Sequence, residues 1–213
     1  KNVSVNVFAK DGGPIAGVTY DLFWIPADGT SEVKIGTYTT DDSGYGGVIG
    51  LDGSQYQNGH FEARLKDWDK SSYSSLEDTY QFEEPEQVSD VMEYTWNLEM
   101  EEADLAYAVV DKTNRELVFY RGSQNYIDKL KSQLPETRYE VLENFEKTTT
   151  SPWKKYNDSI DVIRCEGVIQ PGSSMANWFS GMKAREIHLE QFDTSVSDVN
   201  YPSMTNPSVA GQY

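Results

Sequence analysis

From Lys1 to about Glu101 the chain alternates. Val3, Val5, Val7 and Ala9 are separated by Ser4, Asn6 and Phe8, and Met92, Tyr94, Trp96, Leu98 and Met100 are separated by polar residues without a break. A period of two sends successive side chains to opposite faces, which is the signature of a strand with one buried side. Further strands are predicted over Thr19 to Ile25, Val33 to Thr39, Tyr45 to Leu51, His60 to Lys66 and Tyr80 to Phe82. Turn-forming residues punctuate them, at Asp11-Gly12-Gly13-Pro14, Pro26-Ala27-Asp28-Gly29 and Asp41-Asp42-Ser43-Gly44. Seven short strands at this spacing predict an antiparallel β-sandwich over 1–101, with Asp67 to Ser75 as a polar loop.

Residues 102–213 change character and predict an α+β domain. Leu105 to Val110 and Glu116 to Arg121 flank a hairpin turn, and Ser123 caps a helix with Ile127, Leu130 and Leu134 on one face, stopped by Pro135. Arg138 to Phe145 is a strand. Ser151 with Pro152 predicts a helix start, Asp161 to Glu166 a strand, Ser173 or Ser174 the cap of a short helix ending at Gly181, and Lys183 to Leu189 a second strand. One strand and one short helix per step is how a leucine-rich-type solenoid begins. Asn200 to Tyr213, with Pro202 and Pro207, reads as an irregular tail.

Charge narrows the partners. There are 6 basic against 19 acidic residues over 1–101 and 12 against 16 over 102–213, for a net charge of −17. Such a surface repels phosphate backbones and anionic membranes, so neither nucleic acid nor a membrane surface is an expected partner. No apolar run reaches spanning length, so no membrane insertion is expected. A single cysteine, Cys165, excludes an internal disulfide framework.

Two resemblances follow from the motifs. The segments KDGGPIAGVTYDLF, GTYTTDDSGYGGVIGL and GHFEARL resemble a Cna-B-type, prealbumin-like sandwich of the kind found in Gram-positive surface stalks. The resemblance implies an internal Lys–Asn isopeptide bond beside a carboxylate in many such modules. Here the lysine position is Ala9, with Lys10 directed outward, the carboxylate position is Leu65, and Trp96 faces inward while Asn97 faces out. The fold is therefore expected without the crosslink. Farther on, Pro152-Trp153, then Pro171, Ser173, Ser174, Trp178 and Phe179, then Phe192-Asp193-Thr194-Ser195, resemble the start of a BspA-type leucine-rich-like surface protein. No enzyme activity comes with that resemblance.

Other constellations have plain structural readings. Cys165 and His188 would suit a Cys–His nucleophile only if the thiol were exposed in an electropositive site, and Cys165 lies mid-strand where an apolar residue would serve. His60 is expected at the surface. Asp41-Asp42 and Asp67-x-Asp69 lack calcium-loop spacing and read as turn formers. Glu83-Glu84 is one of many acidic pairs in an acidic chain, so no catalytic role follows. Gly44, Gly46, Gly47 and Gly50 lie in a hairpin with no helix after them, so no phosphate cradle forms. Trp153 and Trp178 are expected in the core, and Trp68 and Tyr73, in a polar loop, as exposed binding candidates.

The sequence thus predicts a non-enzymatic module of a secreted or cell-wall-associated bacterial protein, with no cofactor and no metal. Its task would be adhesion to, or binding of, a host or bacterial surface protein or glycan. The alternatives are a structural spacer or stalk, and a cysteine-dependent enzyme using Cys165 and His188.

Overall fold

The computed structural model describes residues 1–146, 148, 150–170 and 178–193. The chain divides into two compact units, residues 1–69 with 73–102, and residues 70–72 with the described residues from 103 onward.

The first unit is all strand: β1 (Asn2–Ala9), β2 (Thr19–Pro26), β3 (Val33–Thr39), β4 (Tyr45–Val48), β5 (Gly59–Asp67), β6 (Tyr73–Ser74), β7 (Thr79–Phe82), β8 (Glu86–Val88) and β9 (Val91–Glu102). One sheet runs β4-β1-β9-β6, with β8 also on β9, and the other runs β3-β2-β5-β7. The alternating residues meet between them: Val3, Val5, Val7, Tyr20, Leu22, Trp24, Phe61, Ala63, Phe82, Trp96 and Leu98 are all buried in one cluster. Each such large side chain contributes about 1.5–3 kcal/mol by leaving water. The buried Tyr20 ring keeps its hydroxyl satisfied by donating to the Gly46 carbonyl at 2.9 Å.

Three expectations need correction here. The sandwich is not wholly antiparallel, because β1 pairs with β9 in parallel over eight residues, Asn2 opposite Glu93 to Ala9 opposite Met100. The first and last strands of the unit run the same way, so their register is set by the shared inward face and not by a turn. The polar loop after β5 contains β6, whose Tyr73 and Ser74 pair with Glu102 and Glu101. Leu65 is half-buried at the edge of the core, beside a register shift at Thr19/Tyr20.

In the second unit, β10 (Leu105–Asp111), β11 (Glu116–Gly122), β12 (Tyr139–Glu143), β13 (Val162–Cys165) and β14 (Glu186–His188) form one sheet in the order β12-β10-β11-β13-β14. Helix α1 (Gln124–Gln133) follows the Ser123 cap, whose side chain accepts the Tyr126 N–H. Ile127 packs it on Tyr107 and Val109, with Leu130 and Leu134 beside them. The other face carries Phe119, Phe145, Trp153, Trp178, Phe179, Met182 and Ile187.

The helix expected from Ser151 is only a 3-10 turn, Lys154–Tyr156. Trp153 is fully buried, and its Nε1 donates to the Trp178 carbonyl at 2.7 Å. That anchor fixes the chain direction before a second helical turn could form, and a single turn cannot propagate alone. Of the helix expected from Ser173 or Ser174 to Gly181, the described part, 178–181, is bend and turn and not helix; its start, the tail from Asn200, and Thr194 and Ser195 lie outside the described residues.

Candidate functional site

In the sandwich core, the positions where a crosslink would form hold Ala9 and Trp96, both buried, and Leu65. Trp96 stacks on Tyr80 with centroids 5.1 Å apart and donates its Nε1 to Glu77 at 3.2 Å. Lys10 is exposed, and so is Asn97, whose side-chain oxygen accepts from Asn6 Nδ2 at 3.0 Å. Sequence reasoning passed over Lys1. Its Nζ donates to the Tyr56 carbonyl at 2.6 Å and lies 5.6 Å from the Trp24 ring and 5.9 Å from both Phe61 and Tyr94. Three ring faces and a carbonyl stabilise the ammonium there, a cation–π arrangement that only packing discloses.

Trp68 and Tyr73 come together, with Trp68 Nε1 donating to the Tyr73 carbonyl at 2.9 Å. Both are half-buried against the sandwich core, contrary to the exposure expected of them. Aromatic side chains in a polar loop still carry large apolar area, and here it folds inward.

Cys165 and His188 are on opposite faces of their sheet. Ile163 and Ile187 are buried and in register, and Arg164 stands opposite His188 on the outer face. Cys165, one residue on from Arg164, packs against the apolar cluster. Burial, with the Glu190 charge second, pushes its thiol up to about 12. The thiolate needed for a nucleophile is therefore disfavoured, and the imidazole cannot reach it. His60 is half-buried at the start of β5, not a fully exposed residue.

The acidic turns do local work. Asp41 accepts the Ser43 N–H at 2.9 Å, the Ser43 hydroxyl at 2.6 Å and the Tyr45 N–H at 3.2 Å, which closes the turn between β3 and β4; these strands lie in different sheets, so the turn is not the hairpin expected of it. These bonds hold its carboxyl below the usual range, the Ser43 hydroxyl contributing most. Among the described residues, no group of three His, Cys, Asp or Glu is arranged to hold a metal. No described helix is long and apolar enough to cross a membrane.

In the second unit, charged side chains line the strand starts. Arg115 Nε and Nη2 donate to Asp161 at 2.8 and 3.1 Å, and Arg185 Nη2 donates to the same carboxylate at 3.3 Å. Arg121 donates to the carbonyls of Ala103, Asp104 and Val168 and to Glu146. These groups fasten loops to one another.

No family model and no curated protein matches the sequence. Among solved structures, the shaft pilin spaA from Lactobacillus rhamnosus GG is similar over 53% of this chain and 62% of its own, with 11% identity and a TM-score of 0.35. A streptococcal ancillary pilin is similar over 52% of this chain and 34% of its own, with 16% identity and a TM-score of 0.37. A 3-chlorocatechol 1,2-dioxygenase from Rhodococcus opacus 1CP is similar over 47% and 58%, with 13% identity and a TM-score of 0.34. The chain thus spans less than two thirds of the length of each, and the reading below rests on its own geometry.

Proposed function

We propose that the first unit is a force-resisting structural module of a secreted or wall-attached bacterial protein, and that the boundary near Glu101 and Glu102 separates two domains. The parallel β1–β9 ladder carries this reading. Because the two strands run the same way, the chain enters at one end of the sandwich and leaves at the other, roughly 30 Å away at about 3.3 Å per residue. Tension between Lys1 and Glu102 then pulls β1 and β9 in opposite directions along their lengths. All eight register pairs are sheared together, whereas an antiparallel hairpin pulled at its open end unzips one pair at a time.

No covalent staple is needed for that design, and Ala9 and Trp96 supply packing where one would sit. Single-molecule pulling on the chain tests both points. The first unit should resist longer than a hairpin-loaded sandwich and then release, in one step, roughly 35 nm of contour, about 3.6 Å for each of its hundred or so residues. A unit that extends at low force in several steps would sink the mechanical reading. One that never extends while its mass is lower by one ammonia or one water would show a crosslink.

A second reading concerns the other unit. β14 follows β13 in parallel at an offset of 24 residues, Val162 to Glu186, and Ile169 bridges Phe192 in parallel at an offset of 23. Both pairs belong to one step of 23 to 24 residues between neighbouring parallel segments, and that step supports a leucine-rich-like, BspA-type beginning. A crystal structure should show a helical turn capped by Ser173 or Ser174 as part of that strand–helix step; an extended segment there would count against it.

A further inference from the structure

The outer face of the first unit's β4-β1-β9 sheet has a composition unlike the rest of this acidic unit. Along β1, Asn2, Ser4, Asn6 and Phe8 point outward, because Val3, Val5, Val7 and Ala9 fill the core. Across the sheet the register places Tyr45 and Asn97 on either side of Asn6, and Gly47 and Thr95 on either side of Ser4. Tyr45 is 40% exposed, Phe8 is half-buried, and Thr95 and Asn97 are exposed. One row therefore reads ring, amide, amide, with a second ring two residues along β1, about 7 Å from Asn6.

The hydrogen bonds within the row fix its polarity. Asn6 Nδ2 donates to Asn97 Oδ1 at 3.0 Å, which leaves Asn6 Oδ1 as an acceptor and Asn97 Nδ2 as a donor beside it. Next to them the Ser4 hydroxyl, itself buried and so not part of the open surface, lies 3.4 Å from that of Thr95. Glu93, which accepts from Asn2 Nδ2 at 2.8 Å, and Glu99, opposite Phe8, flank the row. Gly47 keeps the floor low, since a Cβ there would meet the Val3 carbonyl at 2.6 Å and Ser4 at about 3 Å.

We propose that this face is a binding site for neutral oligosaccharides. A sugar ring offers an apolar C–H face and a rim of hydroxyls that both donate and accept. Tyr45 and Phe8 would take the face, and Asn6 Oδ1 and Asn97 Nδ2 would take one donating and one accepting hydroxyl. The flanking carboxylates select by charge: they accept hydrogen bonds from hydroxyls and repel sulfated, phosphorylated or sialylated chains. This inference goes beyond the structural role, and its failure would leave that role untouched.

The test is an amide NMR titration of the whole chain with neutral linear hexasaccharides: β-1,4 glucose, β-1,4 N-acetylglucosamine, α-1,4 glucose and α-1,6 mannose. At least one should shift the Asn6 and Asn97 side-chain amides and the backbone of 4–8, 45–47 and 95–99, unchanged between low and high salt. Tyr45→Ala, an exposed position, should weaken that saccharide about tenfold or more, and Asn97→Ala should do likewise, while Lys34→Ala on the opposite sheet should not. No shift with any of the four, shifts centred elsewhere, or a response to oligolysine alone that salt abolishes, would each overturn the proposal.

Discussion

The two units solve the problem of making a core from opposite directions. The first draws nearly all of its buried residues from strands, every second position in turn. The second has one sheet, covers one face with α1, and fills the other with side chains from between its strands. Phe145, Trp153, Ile160, Ile169, Trp178, Phe179, Met182 and Ala184 are all buried, and none lies in a strand or α-helix. Trp153 meets Phe119, Phe145 and Trp178 edge-on at 5.1 to 5.4 Å, and Trp178 Nε1 donates to the Thr148 carbonyl at 3.1 Å. A core built on a ladder is held by many equivalent backbone bonds. A core built from loops depends on a few large rings whose polar ends must each find a partner.

That contrast breaks most sharply at Trp153. Replacing it with Ala removes a fully buried indole and strands the Trp178 carbonyl, so about 3–5 kcal/mol should be lost. Urea unfolding followed by hydrogen exchange should show amides of β10 to β13 exposed first while β1 and β9 keep their protection. Equal loss in both units would show that they fold as one.

The matching weak point of the ladder unit is a turn. Gly44 has φ +77°, and a Cβ there would stand 2.4 Å from the Val7 carbonyl. Gly44→Ala should cost about 1–3 kcal/mol by strain and displacement of β1. Gly29 has φ +75° with nothing within 4 Å, so Gly29→Ala should cost less. Equal losses from the two, measured by thermal melting, would show that crowding against β1 contributes nothing.

A smaller effect separates the units by pH. Arg138 donates to Asp111 at 3.1 and 2.8 Å, and the Asn114 and Thr113 N–H groups add to it. Together they hold the Asp111 carboxyl down at about 2. A depressed carboxyl stabilises the fold above its unfolded value of about 3.9 and loses that contribution as pH falls from there toward about 2. Arg138 is 40% exposed, so solvent screening keeps the worth of the pair small. Asp111→Asn should flatten the second unit's acid stability profile in that window, and an unchanged profile would discount the pair.

The smallest effect is a rate. The Cys165 thiol should react with iodoacetamide at neutral pH only when the second unit opens, so alkylation should quicken in Trp153→Ala and stay slow in Gly44→Ala. Fast alkylation of the folded protein would show the thiol to be more exposed than its packing against the aromatic cluster implies.

Much of the first unit was legible because strand alternation is a local signal. Val33 to Thr39 is found at the bounds its residues predict, and Ala9 and Trp96 are inside with Lys10 and Asn97 outside, as parity requires. The Ser123 cap and Pro135 stop likewise bracket α1 from neighbouring residues alone. The parallel pairing of β1 with β9 was not legible, since it joins residues 91 apart and no turn encodes it. Nor was the row of Tyr45, Asn6 and Asn97, which are remote in sequence and meet only through that pairing. Trp68 and Tyr73 misled because a polar neighbourhood in sequence says nothing about the core a loop folds back onto. Trp153 is in the core as expected of its ring, but the helix expected around it is only a 3-10 turn. The sequence alone determined where side chains alternate, where turns fall and which rings must leave water, because those depend on nearest neighbours. Tertiary structure decided which strands share a ladder, which face a cysteine and a histidine occupy, and where a lysine finds three rings, because those depend on contacts between distant residues.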